Sequence, residues 1–250
     1  MPTRGDKRLA VYRRAAGEPA MTLICVPFAG GNPELFRPWV QWLSTDIDLL
    51  AVRLPGHGRR MRDAPFGTWE ALVDDTADAL TPFLSAPHAF FGHCFGARLA
   101  YELAHRVRTA MTVRLFVSGC RSPDTPADAA RVYQLPDAEF CSALATTGAA
   151  PPEVLGNADL MRILLPAVRG EIRLAELWGG RHEALDVPIT AIYGQEDQTG
   201  ERKGMAGWSD FSTRGCEFVE VPGGHFYLLA EPPCLRDIIN SRLAVYQWST

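Results

Sequence analysis

The chain has 250 residues, of which 47% are hydrophobic and 22% charged, a composition typical of one large globular domain or of one domain with an insertion. Its formal net charge of −4 argues against a nucleic-acid-binding protein, because such proteins normally carry a basic surface. The six cysteines form no Cys-x-x-Cys pair, so neither a zinc ribbon nor a thioredoxin-type redox site is expected.

The first 20 residues are polar and lack the apolar stretch of a secretory signal. No apolar run approaches the ~18 residues that a membrane helix needs. We therefore expect a cytoplasmic protein with reduced thiols.

Short apolar strands alternate with helical patterns along the chain, as in an α/β sheet with short crossover connections. Several of the predicted strands are almost continuously apolar, which is typical of a sheet that is covered on both faces. The predicted strands are Leu9–Arg14, Thr22–Val26, Asp48–Arg53, Ala89–Phe91, Val113–Ser118, Ile189–Tyr193 and Glu217–Val221. The predicted helices are Thr68–Leu84, Cys94–Val107 and Cys234–Tyr246.

One region interrupts this alternation. Between Ser122 and Val187 the sequence contains helical patterns but no good strand. We interpret this region as a helical insertion over one edge of the sheet. No linker, repeat or low-complexity tract divides the chain, so a single domain is expected.

The sequence Gly92-His93-Cys94-Phe95-Gly96 has the G-x-S-x-G pattern of the α/β-hydrolase nucleophile elbow, with cysteine in the serine position. An apolar strand precedes it and a helical stripe follows, which is the context that this motif requires. The glycines avoid collisions at a tight strand-to-helix turn. The helix N-terminus favours both a thiolate and an oxyanion. The alternative is a buried cysteine that closes a strand.

A nucleophile needs a base, and the histidines that follow Cys94 are His105, His182 and His225. His105 falls inside the helix that begins at the elbow, and His182 falls in the insertion. His225 follows the last strand on a Gly-Gly turn, at the edge where α/β sheets gather their chemistry, and is the predicted base. His93 and His57 are not expected to transfer protons.

The acid that orients the base should follow the strand before it. The loop after Ile189–Tyr193 contains Glu196 and Asp197, and we predict Asp197 because it lies just past the turn. Glu196 is the local alternative, and Asp124 is a more distant one.

Two backbone N–H groups should form an oxyanion hole. One belongs to Phe95, the residue after the nucleophile. The other belongs to the loop Pro27–Asn32, in which Pro27 has no N–H, so Ala29 or Phe28 is the predicted donor. Gly30 and Gly31 allow a substrate to approach the backbone closely.

Six segments in order resemble the stand-alone (type II) thioesterases of polyketide and nonribosomal peptide assembly lines, which are α/β-hydrolases. They are "ICVPFAGGNPELFRPW", "LPGHGRR", "FFGHCFGARLAYELA", "VSGCRSP", "ITAIYGQEDQ" and "VPGGHFYLL". The resemblance implies a mostly parallel twisted sheet flanked by helices, with a helical lid at the insertion. It implies hydrolysis of acyl groups from the phosphopantetheine arm of an acyl or peptidyl carrier protein, as an editing function. No metal or freely bound cofactor is implied, and a monomer is expected.

Cys94 departs from this family, which normally has serine at the nucleophile position. Natural variation that keeps hydrolysis would explain it, and so would an engineered Ser-to-Cys change that slows deacylation. An acyl-cysteine is itself a thioester, so it could also pass the acyl group to another nucleophile or cyclise it. A third hypothesis is an inactive hydrolase fold that binds carrier proteins.

The acyl group of the substrate should contact the loop Pro27–Asn32 and the helical insertion. We predict Phe28 and Gly30 in the loop as substrate-binding residues. In the apolar, Arg-bearing segment Leu160–Trp178 we predict Met161, Leu165 and Trp178, although helical apolar spacing more often reflects simple packing.

Overall fold

The computed structural model describes residues 5–13, 17, 19–125, 131–146, 156–180, 183–198 and 202–244. Seven strands form one sheet in the order β1-β3-β2-β4-β5-β6-β7. They are β1 (Leu9–Arg13), β2 (Met21–Val26), β3 (Ile47–Val52), β4 (His88–His93), β5 (Thr112–Ser118), β6 (Ile189–Gly194) and β7 (Cys216–Val221). Strand β1 pairs with β3 in antiparallel fashion, and all other neighbours are parallel.

The helices are α1 (Trp69–Leu80), α2 (Phe95–Val107), α3 (Asp137–Thr146), α4 (Ala158–Glu176), α5 (Arg202–Met205) and α6 (Pro233–Ala244). The described residues also include 3₁₀ segments at Pro33–Gln41, Gly58–Arg60, Thr81–Phe83, Ala206–Phe211 and Tyr227–Ala230. One further 3₁₀ turn, Val132–Gln134, precedes α3.

The predicted fold class is confirmed: a mostly parallel sheet lies between two layers of helices. The central strands β2, β3 and β4 are buried along their whole length, as their apolar sequences require. Two apolar cores result, one on each face of the sheet. Helices α1 and α2 pack on one face, and the 3₁₀ segment Pro33–Gln41 and α6 pack on the other.

Each of the seven predicted strands is present, with ends that shift by one or two residues; Arg14 lies outside the described residues. The helix predicted at Thr68–Leu84 is shorter. Thr68 caps α1 by accepting a hydrogen bond from the Ala71 N–H, and the helix stops at Leu80. Pro82 has no N–H, and the chain continues there as a 3₁₀ turn. The last helix is α6, and residues 245–246 of its predicted range lie outside the described part.

The chain between β5 and β6 contains α3 and α4, with no strand among its described residues. The two helices form a small third core, made by Phe140, Leu144, Leu164 and Val168. Helix α4 also contacts the loops that follow β2 and β3, so the insertion lies at the carboxyl edge of the sheet. In the described ranges, no helix is both long enough and apolar enough to cross a bilayer.

Candidate active site

Cys94 is held in a strained backbone conformation between β4 and α2. Its φ is +54° and its ψ is −116°, a region that residues other than glycine seldom adopt. The Cys94 N–H donates to the Ser118 carbonyl of the neighbouring strand at 2.8 Å. The turn therefore presents the thiol at the first turn of α2, where the helix dipole favours negative charge.

Both glycines of the elbow are required by close packing. A Cβ at Gly92 would lie 2.1 Å from the Gly96 carbonyl oxygen. A Cβ at Gly96 would lie 2.3 Å from the Val26 carbonyl oxygen at the end of β2. Because these neighbours are backbone atoms, neither collision can be relieved by a change of rotamer. The pattern of glycines thus fixes how closely β2, β4 and the start of α2 approach one another.

The loops after β6 and β7 bring Asp197 and His225 together. The His225 Nδ1 atom lies 2.8 Å from the Asp197 Oδ2 atom, and both residues are buried. The Glu196 N–H donates to the Gly223 carbonyl at 3.0 Å, which ties the two loops to each other. A Cβ at Gly194 would lie 2.5 Å from that same Gly223 oxygen, so glycine is needed for this approach.

His225 also forms a hydrogen bond with Cys94. Since Nδ1 faces Asp197, the other ring nitrogen, Nε2, is the one available to the sulfur. The three predicted side chains therefore lie in series from thiol to imidazole to carboxylate. Four polypeptide segments, β4, α2 and the loops after β6 and β7, are needed to assemble them.

The electrostatics of the pair favour a thiolate beside an imidazolium. Burial opposes ionisation of Cys94, but the His225 hydrogen bond, the positive charges of His225 and Arg98 and the Phe95 N–H together lower the thiol pKa below its ordinary value. Burial likewise opposes the charge on His225, and the bonds to Asp197 and Cys94 outweigh it, raising the imidazole pKa to about 10.

Gly119, directly after β5, packs against the imidazole rings of His93 and His225. Its φ is +55°, and a Cβ there would lie 2.7 Å from the His93 ring and 3.2 Å from the His225 ring. The sequence analysis missed this residue, although it belongs to the "VSGCRSP" segment. A glycine directly after a buried strand was the available signal.

Two N–H groups of the loop Pro27–Asn32 donate hydrogen bonds within the protein. Gly31 donates to the Phe28 carbonyl at 2.8 Å, and Gly30 donates to Glu171 Oε2 at 2.6 Å. The N–H groups of Ala29 and Phe28 are the two alternatives for the one donor that was predicted in this loop. The Phe95 N–H interacts with the Cys94 sulfur.

A cavity of about 430 Å³ lies between this loop and α4. Phe28, Gly30 and Met161, which were predicted to bind substrate, line it. The remaining lining is mostly apolar and includes Met61, Leu144, Leu160, Leu164, Val168 and Leu229, together with the polar His57. A cavity of this size and composition suits an acyl chain.

Leu165 and Trp178, which were also predicted to bind substrate, do not belong to the lining of this cavity. Leu165 packs against the small core of the insertion. The Trp178 indole donates to Glu102 Oε1 at 2.8 Å, and its ring lies 5.2 Å from the Arg98 guanidinium carbon. Helical spacing alone cannot separate the face of α4 that meets the cavity from the face that meets the protein.

The alternatives for acid and base lie elsewhere. Glu196 is exposed beside Asp197, and Asp124 lies against Gly207. His105 is buried within α2 against the Tyr101 ring. His182 lies outside the described residues.

His93 and His57 are both buried. His93 Nδ1 lies 2.8 Å from the Ser118 hydroxyl, and its ring centroid is 4.9 Å from that of His225. Burial lowers the His93 pKa well below its ordinary value, so this imidazole is neutral beside the site. His57 Nε2 lies 2.8 Å from Glu171 Oε1.

Two further residues near the site escaped the sequence analysis. Glu171 is buried, and it falls on the face of α4 that also carries Ala167 and Val168. A carboxylate at an apolar position of an amphipathic helix was its only signal. Arg98 lies one turn after Cys94 on α2 and donates to the Ala175 carbonyl. Among the residues that the structure describes, no group of three or more His, Cys, Asp or Glu side chains is arranged to hold a metal ion.

The sequence and the fold were both compared with those of known proteins, and the matches are to thioesterases and to proteins of biosynthetic pathways. The sequence profile of the family described as "Thioesterase domain" matches residues 21–243. Gramicidin S biosynthesis protein GrsT from Aneurinibacillus migulanus is 31% identical over 212 residues, covering 83% of each chain. Thioesterase PikA5 from Streptomyces venezuelae is 30% identical over 233 residues, covering 91% of this chain and 83% of PikA5. The solved structure of type II thioesterase BorB from the borrelidin biosynthetic cluster superposes with a TM-score of 0.86 at 32% identity, covering 96% of this chain and 99% of BorB.

Proposed function

Because the chain belongs to the thioesterase family and is a thioester hydrolase, we propose that it releases acyl groups from the phosphopantetheine arm of acyl or peptidyl carrier proteins. Cys94 is the nucleophile, His225 the base and Asp197 the group that orients the base. The single observation that carries this proposal is the series of contacts from the Cys94 thiol through His225 to Asp197.

In the first half-reaction the Cys94 thiolate attacks the carbonyl carbon of the bound thioester. A tetrahedral intermediate forms, and the N–H groups of Phe95 and Ala29 stabilise its oxyanion. The carbon–sulfur bond to pantetheine then breaks. The His225 imidazolium, which received the Cys94 proton, transfers that proton to the departing thiolate, so the carrier leaves as a thiol.

In the second half-reaction neutral His225 takes a proton from water as the water attacks the acyl-cysteine. The second tetrahedral intermediate collapses to the free acid, and the Cys94 thiolate beside the His225 imidazolium is restored. Asp197 remains ionised throughout and holds the imidazole in the required tautomer. No step requires a metal or a freely bound cofactor, because pantetheine arrives with the substrate.

Two observations support carrier-bound acyl groups as substrates. The first is the apolar cavity, which is lined by Phe28 and Ala29 of the loop that contains the predicted oxyanion donor, and to which we assign the acyl chain. The second is the names of two relatives, one a gramicidin S biosynthesis protein and the other a type II thioesterase from the borrelidin biosynthetic cluster. We extend this to an editing function, the removal of stalled or misprimed acyl units, with one monomer acting on one carrier protein.

Transfer to a nucleophile other than water is the second candidate, and the sulfur at position 94 favours it. An acyl-cysteine keeps the reactivity of a thioester, so an amine, a carbanion or an internal hydroxyl of the acyl group can compete with water. The product would then be an amide, a condensed product or a ring instead of a free acid.

The test uses a carrier protein loaded with a radiolabelled acyl group. Wild-type protein should release free acid, and Cys94→Ala should abolish release. Cys234→Ala is the matched control, since Cys234 is a free and partly buried cysteine, as Cys94 is. This variant should keep full activity. Retained activity in Cys94→Ala would contradict the proposal. Mass spectrometry of the products separates hydrolysis from transfer or cyclisation.

A further inference from the structure

Glu171 connects the insertion to the loop that carries the predicted oxyanion donor. Its Oε2 atom accepts a hydrogen bond from the Gly30 N–H at 2.6 Å. Its Oε1 atom lies 2.8 Å from His57 Nε2. Both oxygens of one carboxylate are therefore engaged by two different loops, those that follow β2 and β3. Only 5% of Glu171 and 2% of His57 is exposed.

A buried carboxylate is costly unless hydrogen bonds replace its water, so this one requires its two partners. The packing around it is equally close. Gly30 has a φ of +82°, and a Cβ there would lie 3.1 Å from Val168. Gly56 has a φ of +83°, and a Cβ there would lie 2.4 Å from Ala167. One face of α4 thus lies directly on the backbone of both loops, with the Glu171 carboxylate between them.

The hydrogen bond from Gly30 to Glu171 affects the predicted oxyanion hole because Gly30 directly follows Ala29, the predicted donor. The Gly30 N–H belongs to the peptide unit that immediately follows Ala29. When Glu171 holds that peptide plane, it restricts the ψ angle of Ala29 and so the direction of the neighbouring N–H. A donor that is pre-oriented in this way needs no reorganisation when the oxyanion forms.

From this geometry we propose that Glu171 is a positioning residue, held by His57, which fixes the loop Pro27–Asn32 in the orientation that places the Ala29 N–H toward the oxyanion. The oxyanion hole is therefore complete only while α4 is seated on the loop. This inference rests on the proposed function for its catalytic consequence, and the loop geometry that it describes can be tested without activity.

The kinetic test compares three substitutions at Glu171 by steady-state hydrolysis of an acyl-carrier thioester. Glu171→Ala removes the acceptor, and we expect kcat to fall by about 10- to 100-fold, which is less than the loss of a whole oxyanion donor. KM should change by less than about threefold, since ground-state binding keeps its contacts. Glu171→Gln keeps an oxygen that accepts from the Gly30 N–H, and its amide N–H can donate to His57 Nε2 when the His57 proton moves to Nδ1. It should therefore restore kcat to within about threefold of wild type.

The matched control is Glu217→Ala. Glu217 also joins a helix to the sheet through its carboxylate, by hydrogen bonds to Arg242 at 2.9 Å and 3.0 Å, but it lies on β7. Its replacement should lower the melting temperature and leave kcat unchanged. If Glu171→Ala does not fold, Glu171→Asp shortens the reach by one methylene and should lower kcat in a folded protein. Unchanged kcat in whichever of these two Glu171 variants folds, or a Gln variant as impaired as the Ala variant, would overturn the inference.

Amide hydrogen exchange provides the readout that is independent of catalysis. In Glu171→Ala, or in Glu171→Asp if only that variant folds, the Gly30 amide should exchange at least about tenfold faster than in wild type. Amides of β4 should keep their protection. Unchanged exchange at Gly30 would overturn the inference even if the wild-type protein is active, whereas an inactive wild type with faster loop exchange in the variant would contradict only the proposed function.

Discussion

The Asp197 carboxylate lies 2.8 Å from His225 Nδ1, and only 3% of Asp197 and 9% of His225 is exposed. Because water has little access to this contact, the carboxylate is not screened and its charge acts fully on the imidazole. The contact also decides the tautomer, since a proton on Nδ1 leaves Nε2 free to accept the Cys94 proton.

Replacement of Asp197 by Asn should therefore damage catalysis far more than stability. The amide keeps the shape of the side chain, but it removes the charge that stabilises the imidazolium and favours the wrong tautomer. We expect kcat to fall by about 10²- to 10⁴-fold, with KM little changed, in steady-state hydrolysis of an acyl-carrier thioester.

Glu196→Gln provides the control for Asp197→Asn. Glu196 is the adjacent carboxylate in the same loop, but its side chain is exposed. Its neutralisation should leave kcat within about twofold of wild type, as is usual for an isolated surface charge. If the two substitutions had equal effects, Asp197 would not be the orienting acid.

The thiol of Cys94 should be the most reactive of the described cysteines near neutral pH. Its pKa lies below the ordinary value, whereas burial raises the pKa of Cys120 to about 11 and that of Cys216 to about 12. Only the thiolate is alkylated, so the rate at Cys94 should fall with decreasing pH, with a midpoint below that of a free thiol. The measurement is the pH dependence of iodoacetamide labelling, with each cysteine followed by peptide mass spectrometry.

His225→Ala should move this midpoint to higher pH, by at least about one unit, because it removes the hydrogen bond and the positive charge that stabilise the thiolate. Burial, which raises the thiol pKa, would then be opposed only by Arg98 and the Phe95 N–H. A midpoint that stays in place after this substitution would show that His225 does not stabilise the Cys94 thiolate.

Gly119→Ala should displace His225 from its place in the series. The new methyl group would lie 3.2 Å from the His225 ring and 2.7 Å from the His93 ring, at a φ of +55°. We expect kcat to fall at least about tenfold, since small displacements of a catalytic group have large effects. The positive φ should lower the free energy of unfolding by about 1–2 kcal/mol.

Gly215→Ala separates these two effects. Gly215 also has a positive φ, +91°, but a Cβ there would meet no atom within 4 Å. It should show a comparable loss of stability in chemical denaturation, together with wild-type kcat. Equal kcat values for the two variants would exclude the displacement of His225 as the cause.

The features that were predictable from sequence are those with local signatures. Strand β4, the elbow at Cys94 and helix α2 follow from apolar runs, glycine spacing and helical periodicity within about twenty residues, and the structure has all three. The proximity of Asp197 and His225 followed from topology, because parallel strands β6 and β7 release their loops at one edge of the sheet.

Contacts between distant segments had no such signature. Glu171 is 141 residues from Gly30 and 114 from His57, and nothing near any of the three indicates the others. Leu165 shows the same difficulty, since the hydrophobic period of α4 identifies apolar positions without saying whether each one meets a cavity or a neighbouring helix. Trp178 lies beyond the end of α4 at Glu176, where that period gives no information. Tertiary packing decides those assignments.

The cavity between the loop Pro27–Asn32 and α4 should determine which acyl groups are accepted. Leu160 is partly exposed and lines the cavity, so Leu160→Trp should narrow it without disturbing a packed core. We expect kcat/KM to fall by about tenfold for long acyl chains, which need the whole cavity, and by less than about twofold for acetyl groups. The measurement is hydrolysis of a series of acyl-carrier thioesters of increasing chain length.

Ile163→Trp is the matched control on the same helix. Ile163 is more exposed than Leu160, at 56% against 37%, and does not line the cavity. The same increase in side-chain volume should therefore leave the chain-length profile of the wild type unchanged. If Leu160→Trp shifted acetyl and long-chain substrates by equal factors, the acyl chain would have to lie outside this cavity, and the apolar lining that Met161, Leu164 and Val168 contribute would serve packing alone.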